Sequence, residues 1–363
     1  MSPRKLVILG LSITSSWGNG HATTYRALVR ELVQRGHQVI FLERDMPWYR
    51  DTRDLPSPPY GRTHLYENLE ELFDTYQGII EDADLVIIGS YVPDGIKVGH
   101  WVLAHARGIV AFYDIDTPVT LTALAQGRAE YISPDLIRRY DLYLSFTGGP
   151  TLQRLEHEFE AQRARALYCS VDPEAYYPQV VEASWDLGYL GTYAPDRQPM
   201  LECLLNAPAR AWFEGRFVVA GPSYPTTVQW PSNVERIEHL PPSEHGSFYN
   251  RQRFTLNITR ADMAQSGYAP SVRLFEAAAC GIPIISDGWS GIDEFFHPGT
   301  EILLASSAKE VVSFLQTMPE EHRCALGEQA RRRVLADHTA AQRVKELESY
   351  IEECFAGLGA ETH

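Results

Sequence analysis

The sequence predicts an α/β chain made of two doubly wound parallel sheets in tandem, and three observations carry that prediction. Short apolar runs alternate with amphipathic helical stretches through the first half, and the same alternation starts afresh in the second. Between them lies an aperiodic stretch with two prolines, SVDPEAYYPQVVEASW at 170–185. A length of 363 residues fits two domains of about 150 to 200 residues, each large enough for its own core.

In the first half, strands are expected near 5–11, 38–43, 84–90, 108–114, 141–146 and 164–169. Between the first two, Tyr25, Leu28, Val29, Leu32 and Val33 form one apolar helical stripe, closed by Gly36 as a C-terminal cap. Leu65, Leu69, Leu72, Phe73 and Tyr76 form a second stripe. The later strands are DLGYLG (186–191), RFVVAG (216–221), VERIEHL (234–240), FTLNIT (254–259), PIISD (283–287) and EILLA (301–305). In FEAAACGIPIISDGW, Ala277, Ala278, Ala279 and Cys280 let a helix pack close to a sheet, Gly281 stops it and Pro283 opens the next strand. From 319 onward the chain reads as charged helix with apolar Val334, Leu335, Val344 and Leu347. The expected domains are 1–172 and 183–335, with a helix at 336–363 free to pack back across the first.

Bulk properties exclude several classes. A formal charge of −15 with scattered basic residues argues against nucleic acid or an anionic membrane as the main partner. The five cysteines form no CxxC pair, which suits reduced thiols in a cytoplasm and disfavours zinc. Leu6–Leu11 is too short for a secretory leader, and no apolar run reaches the roughly 20 residues a membrane helix needs, so no transmembrane segment is expected.

Ligands of open parallel sheets bind beyond the carboxyl ends of the strands, so the loops there are the candidates. After the first strand, Gly18, Asn19 and Gly20 permit a tight turn into a helix whose free N–H groups hold an anion or hydroxyl. A dinucleotide fingerprint with Glu43 as its acidic residue is a poor match: Thr23 stands where the third glycine belongs, and several residues separate the strand from Gly18. His21 follows that turn, either as a base or as a helix-start surface residue. Asp114 and Asp116 end the fourth strand. Asp116 is a helix N-cap or a catalytic carboxylate, and Asp114 is the preferred acceptor of a substrate hydroxyl proton.

In the second half, Gly191, Thr192 and Tyr193 lead to Arg197, which reads either as a phosphate ligand or as a solvated residue. Ser271, Arg273 and Glu276 gather at one helix N-terminus. Hydroxyl, guanidinium, helix dipole and carboxylate within two turns make a site for a diphosphate and a sugar diol. An Arg273–Glu276 pair within the helix contributes only about 0.2 to 0.5 kcal/mol and leaves a carboxylate on an Ala-rich helix unexplained.

The stretch SVRLFEAAACGIPIISDGWSGIDEFFHPG resembles the donor-binding segment of GT-B fold glycosyltransferases of the group 1 type, close to CgeB-like proteins. GNGHATTYRALVRELVQRGHQVIFLERD and YCSVDPEAYYP extend the resemblance over both halves. The resemblance implies two Rossmann-like domains facing each other across a cleft, the first holding an acceptor and the second a nucleotide-sugar. It implies that Glu276 holds the ribose hydroxyls, Arg273 the diphosphate, and Gly191 to Tyr193 the loop beneath. Gly288, Trp289, Ser290 and Gly291 would lie near the sugar. Retaining members often carry a glutamate eight positions before the ribose glutamate, where this chain has Tyr268.

The expectation is therefore a metal-free, hexosyltransferase-like enzyme without cofactor. It would move a sugar from a nucleoside diphosphate sugar to a small-molecule, glycan or protein acceptor. Its rivals are a nucleotide-sugar epimerase and a non-catalytic nucleotide-sugar-binding protein.

Overall fold

The computed structural model describes residues 2–17 and 20–360, the last three of these by backbone alone. The chain divides into two compact units. The first comprises the residues up to Cys169 together with the chain from Ala340 onward, and the second comprises Ser170–Thr339.

The first unit is built on seven parallel strands: β1 (Lys5–Gly10), β2 (Gln38–Arg44), β3 (Arg62–Tyr66), β4 (Leu85–Gly89), β5 (Ile109–Asp114), β6 (Leu142–Ser145) and β7 (Ala164–Ala166). Their order is β3-β2-β1-β4-β5-β6-β7. Central strands β4 and β5 are buried at every position because helices cover both faces, which is why they read as unbroken apolar runs. The helix His21–Gln34 buries Tyr25, Leu28, Val29 and Leu32, and Gly36 beyond its end takes a φ of +93°.

One stripe of the sequence reading is corrected. Leu65 lies in β3, and the helix it was assigned to begins at Leu69. The Asn68 side chain accepts from the Glu71 amide (3.0 Å) while Glu71 accepts from the Glu67 amide (2.7 Å), a reciprocal cap that fixes the start. Leu65 stands four residues before Leu69 and mimics the helical period across that boundary.

The last helix, Ala340–Ala360, belongs to the first unit. Its Val344, Leu347 and Ile351 are buried, and Glu348 is held by Arg35 and by buried His37 (3.0 Å). Arg4 pairs with Glu352 (2.9 Å), and Tyr350 donates to the Ala166 carbonyl (3.0 Å).

The second unit has six parallel strands: β8 (Trp185–Leu190), β9 (Phe217–Ala220), β10 (Val234–Ile237), β11 (Gln252–Asn257), β12 (Ile284–Ser286) and β13 (Leu303–Leu304), in the order β10-β9-β8-β11-β12-β13. Both sheets grow outward from their first strand on one side and then reverse. The reversals fall between β1 and β4 and between β8 and β11, the crevices where open α/β sheets bind ligands. Among the described residues no helix is long and apolar enough to cross a membrane.

Candidate active site

In the second unit, the loops leaving β8 and β11 meet at the reversal. The Ala261 amide donates to Asp196 (2.9 Å), tying the two loops together. Gly221, at a φ of +142°, lets the end of β9 approach Gly191 so closely that a Cβ would stand 2.1 Å from the Gly191 carbonyl oxygen. Tyr224 donates to the same carbonyl (3.0 Å), and the Tyr193 amide donates to Pro222 (3.0 Å).

Onto this backbone the structure brings two guanidinium groups. Arg197 donates to the Thr192 carbonyl (2.7 Å), and its Nε is buried without an acceptor among the described residues. Arg273, on the helix Val272–Ala279, lies over the Tyr189 ring at 5.7 Å. Burial, and then the Arg273 charge, lower the proton affinity of Arg197. No carboxylate forms an ion pair with either arginine among the described residues. The Asp196 charge acts the other way but more weakly, so the two guanidinium groups stand together with little counter-charge. Ser271 is the N-cap of that helix, and its side chain makes no capping bond.

Sequence reasoning missed the wall beside them. Arg236 stacks on Tyr224 (4.2 Å) and Trp230 (4.4 Å) while donating to the carbonyls of Val219 and Gly221. The available signal was the aromatic loop GPSYPTTVQW following a strand end.

Glu276 is 5% exposed, and its Oε2 accepts from the Tyr249 hydroxyl (3.1 Å). Tyr176 lies against it, its phenol held protonated by burial and by the Glu276 charge. The carboxylate thus has protein partners from two distant segments, which periodicity on its own helix does not reveal.

The loops after β11 and β12 also interlock. The Tyr268 amide donates to Ser290 (2.7 Å), and Gly291 lies so close under the Tyr268 ring that a Cβ would meet it at 2.4 Å. Tyr268 itself has a φ of +51°, a conformation bulky residues seldom adopt. Trp289 is 7% exposed, and its indole N–H has no acceptor among the described residues. Gly288 and Ser290 on either side are exposed.

In the first unit the expected roles change. Gly18 and Asn19 lie outside the described residues, and exposed Gly20 is the N-cap of the helix His21–Gln34. Glu43 is fully buried and accepts from the hydroxyls of Ser12 and Thr14 and from the amides of Ile13 and Thr14. It holds the loop after β1 and is closed to a ribose.

Asp114 is 0% exposed. The hydroxyls of Tyr143 (2.5 Å) and Thr120 (2.7 Å) donate to its two oxygens, and the Asp116 amide adds a longer bond (3.3 Å). Burial raises its proton affinity to about 6, although the Tyr143 and Thr120 bonds act the other way. Against the expectation of a presented carboxylate, Asp114 is sealed at the end of a central strand by the Tyr143 and Thr120 hydroxyls. The half-buried carboxylate is Asp116, whose Oδ2 accepts from Tyr91 (3.2 Å). His21 is 8% exposed, burial lowers its proton affinity to about 4, and its Nδ1 has no partner among the described residues.

Residues 197–349 match a family model described as glycosyl transferase-like. No curated protein matches the chain. Among solved structures, it is similar to sucrose-phosphate synthase from Thermosynechococcus elongatus, with 15% identity and a TM-score of 0.71 over 98% of this chain and 100% of that one. It is also similar to Anabaena HepE in complex with UDP and glucose, with 12% identity and a TM-score of 0.70 over 96% and 100%. An α-glucosyltransferase bound to UDP and a 13-mer DNA gives 13% identity and a TM-score of 0.71 over 97% and 100%. The chain therefore has the GT-B fold, and its residues 197–349 are similar to the glycosyl transferase-like family.

Proposed function

We propose that the protein is a glycosyltransferase that uses a nucleoside diphosphate sugar as donor. The observation that carries this reading is the pair Arg197 and Arg273, gathered at the strand reversal of the second unit with no carboxylate in an ion pair with either among the described residues. A diphosphate supplies the missing charge. Two guanidinium groups and the N-terminus of the helix Val272–Ala279 offset it as it leaves. Complexes of similar folds with UDP and UDP-glucose support the donor class.

In this reading Glu276, braced by Tyr249, accepts from the ribose hydroxyls, and Gly191 to Tyr193 underlie the diphosphate. The loop Gly288–Gly291 borders the sugar, and the free indole N–H of Trp289 suits a sugar oxygen. In the first unit, His21 and Asp116 receive the acceptor hydroxyl. Neutral near pH 7, His21 offers Nδ1 as a base. The acceptor oxygen bonds to the anomeric carbon as the bond to the diphosphate oxygen breaks. The electron pair leaves with the nucleoside diphosphate, and the acceptor proton passes to the protein base. Arginines and a helix dipole carry the charge compensation, so the mechanism assigns no step to a metal.

Incubation with UDP-, GDP- and dTDP-sugars, followed by measurement of released nucleoside diphosphate and of epimerised sugar, tests this reading. Release of one diphosphate is expected. Epimerised sugar without release identifies an epimerase, and binding without either product identifies a sensor.

A further inference from the structure

The turn after β4 carries a residue that the reading above leaves unused. Ser90 to Asp94 cross the strand reversal of the first unit, and two non-glycine residues there adopt left-handed backbone, Tyr91 at a φ of +63° and Asp94 at +55°. An aromatic residue in that region is a rare outlier that only surrounding structure can hold. The surroundings are on hand: the Ser90 amide donates to Tyr113 (2.9 Å), and the Ile115 amide donates to the Ser90 hydroxyl (3.1 Å), so the turn is fixed to the end of β5. Asp94 is anchored by Arg44 (2.6 Å).

That backbone aims the Tyr91 side chain at three groups. Its ring meets His21 edge to face with centroids 5.4 Å apart, and it packs on Tyr131 at 4.7 Å. Its hydroxyl donates to Asp116 Oδ2 (3.2 Å). Tyr131 exchanges a hydrogen bond with Thr120 (2.7 Å), which in turn donates to Asp114, so the aromatic pair is continuous with the buried Asp114 network. The groups that Tyr91 touches come from three different elements: the start of the first helix, the end of β5 and the loop before β6. Tyr91, leaving the β4 turn in the left-handed conformation, reaches all three.

We infer that Tyr91 is a positioning residue for the attacking hydroxyl, holding Asp116 by its phenol and the His21 imidazole by its ring. The inference rests on the glycosyltransferase reading and adds a residue to it. The hydroxyl is that of the acceptor, or of water when no acceptor is present, so slow donor hydrolysis reports on the same site.

The test compares wild type with Tyr91→Phe, which keeps the ring, the backbone strain and the packing and removes the phenol's hydrogen bonds to Asp116 and Tyr131. UDP-glucose, GDP-glucose and dTDP-glucose serve as donors with water as acceptor, diphosphate release gives kcat, and calorimetry gives donor Kd. Expected is a kcat about tenfold lower with a Kd within about twofold of wild type and an unchanged far-UV circular dichroism spectrum, the pattern of an interaction that acts on turnover and not on donor binding. Unchanged kcat overturns the assignment. So does a loss of kcat that travels with weaker donor binding or an altered spectrum, the signature of a structural residue. If the wild-type chain neither binds nor hydrolyses any of the three donors, the glycosyltransferase reading fails and the assignment fails with it. A wild-type chain that binds a donor while Tyr91→Phe hydrolyses it normally defeats the assignment alone.

Discussion

At the reversal between β1 and β4 the first unit gathers Asp116, Tyr91, Tyr131 and a neutral His21, with Asp114 sealed beneath them by two hydroxyl donors. At the corresponding reversal between β8 and β11 the second unit gathers Arg197 and Arg273, with Arg236 stacked nearby, and gives neither of the first two an ion pair with a carboxylate among the described residues. The sheets share their strand order, all-parallel pairing and buried central strands. What differs is the charge carried by the loops. Topology therefore fixes where the ligand crevices lie, and the proposed function takes its ligands from the loop charges, a polyanion for the second unit and a proton-donating hydroxyl for the first.

The largest effect should come from Asp114, the residue on which the contrast between sealed and open carboxylates depends. Its folded-state proton affinity, about 6, lies above the ordinary carboxylate value near 4. The folded form then binds the proton more tightly than the unfolded one. The associated stability is complete below about pH 4 and is lost as pH rises through about 6, a difference of about 3 kcal/mol at 1.36 kcal/mol per pH unit. Asp114→Asn cannot titrate, so its stability relative to wild type should rise by that amount between pH 4 and pH 7. Hydrogen exchange of the β5 amides in both proteins over this range measures it. A difference that stays constant with pH would mean an ionised, solvated Asp114, and would return the acceptor role to it.

The arginine side of the contrast predicts a somewhat smaller change. Arg273→Ala should weaken binding of a nucleoside diphosphate by roughly 10- to 150-fold, the equivalent of about 1.5 to 3 kcal/mol for a hydrogen bond to a charged group. Bare nucleoside should be affected by less than about twofold, because a guanidinium serves phosphate oxygens. Glu276→Ala should instead weaken both ligands alike, since both carry the ribose. Calorimetry with UDP and uridine, and with GDP and guanosine, separates the patterns. Equal losses on Arg273→Ala would make Arg273 a support for Tyr189 and leave the second unit without its anion site.

Much of this contrast was legible in the chain. Apolar runs located the central strands, Arg197 and Arg273 stood out because each sits where a strand has just ended or a helix begins, and Glu276 because it is a carboxylate on an Ala-rich helix. Three features were hidden, each for a physical reason. The edge strand β3, RTHLY, buries only Tyr66 completely, so it lacks the apolar run that marks a covered strand. The partners of Glu276 and Asp114 lie 27 and 29 residues away, at Tyr249 and Tyr143, beyond any periodic signal. The strain at Tyr91 is a backbone property, and a tyrosine before Val-Pro-Asp does not announce a positive φ. Asp114 shows the opposite error: a carboxylate at a strand end reads as presented, yet the Tyr143 and Thr120 hydroxyls turn it inward.

The smallest expected effect concerns metal, and it bears on whether the two units keep separate charges. Asp114-Ile115-Asp116 is an Asp-x-Asp, a pattern that in another glycosyltransferase class holds a divalent ion against the donor diphosphate. Here the two carboxylates do not act as a pair. Asp114 accepts from Tyr143 and Thr120 inside the unit, while Asp116 accepts from Tyr91 at its surface. A cation that needed both would have to displace the two hydroxyl donors on Asp114 and leave them unpaired in the interior, which costs about 1 to 3 kcal/mol for each group. In the proposed function the diphosphate charge is met by Arg197, Arg273 and a helix N-terminus in the second unit. Donor turnover should therefore persist in excess EDTA, and added magnesium or manganese should change the rate by less than about threefold, under about 0.7 kcal/mol in barrier. Activity that EDTA abolishes, manganese restores and Asp116→Ala removes would relocate the diphosphate to the first unit, and the assignment of anion and hydroxyl to the two reversals would have to be exchanged.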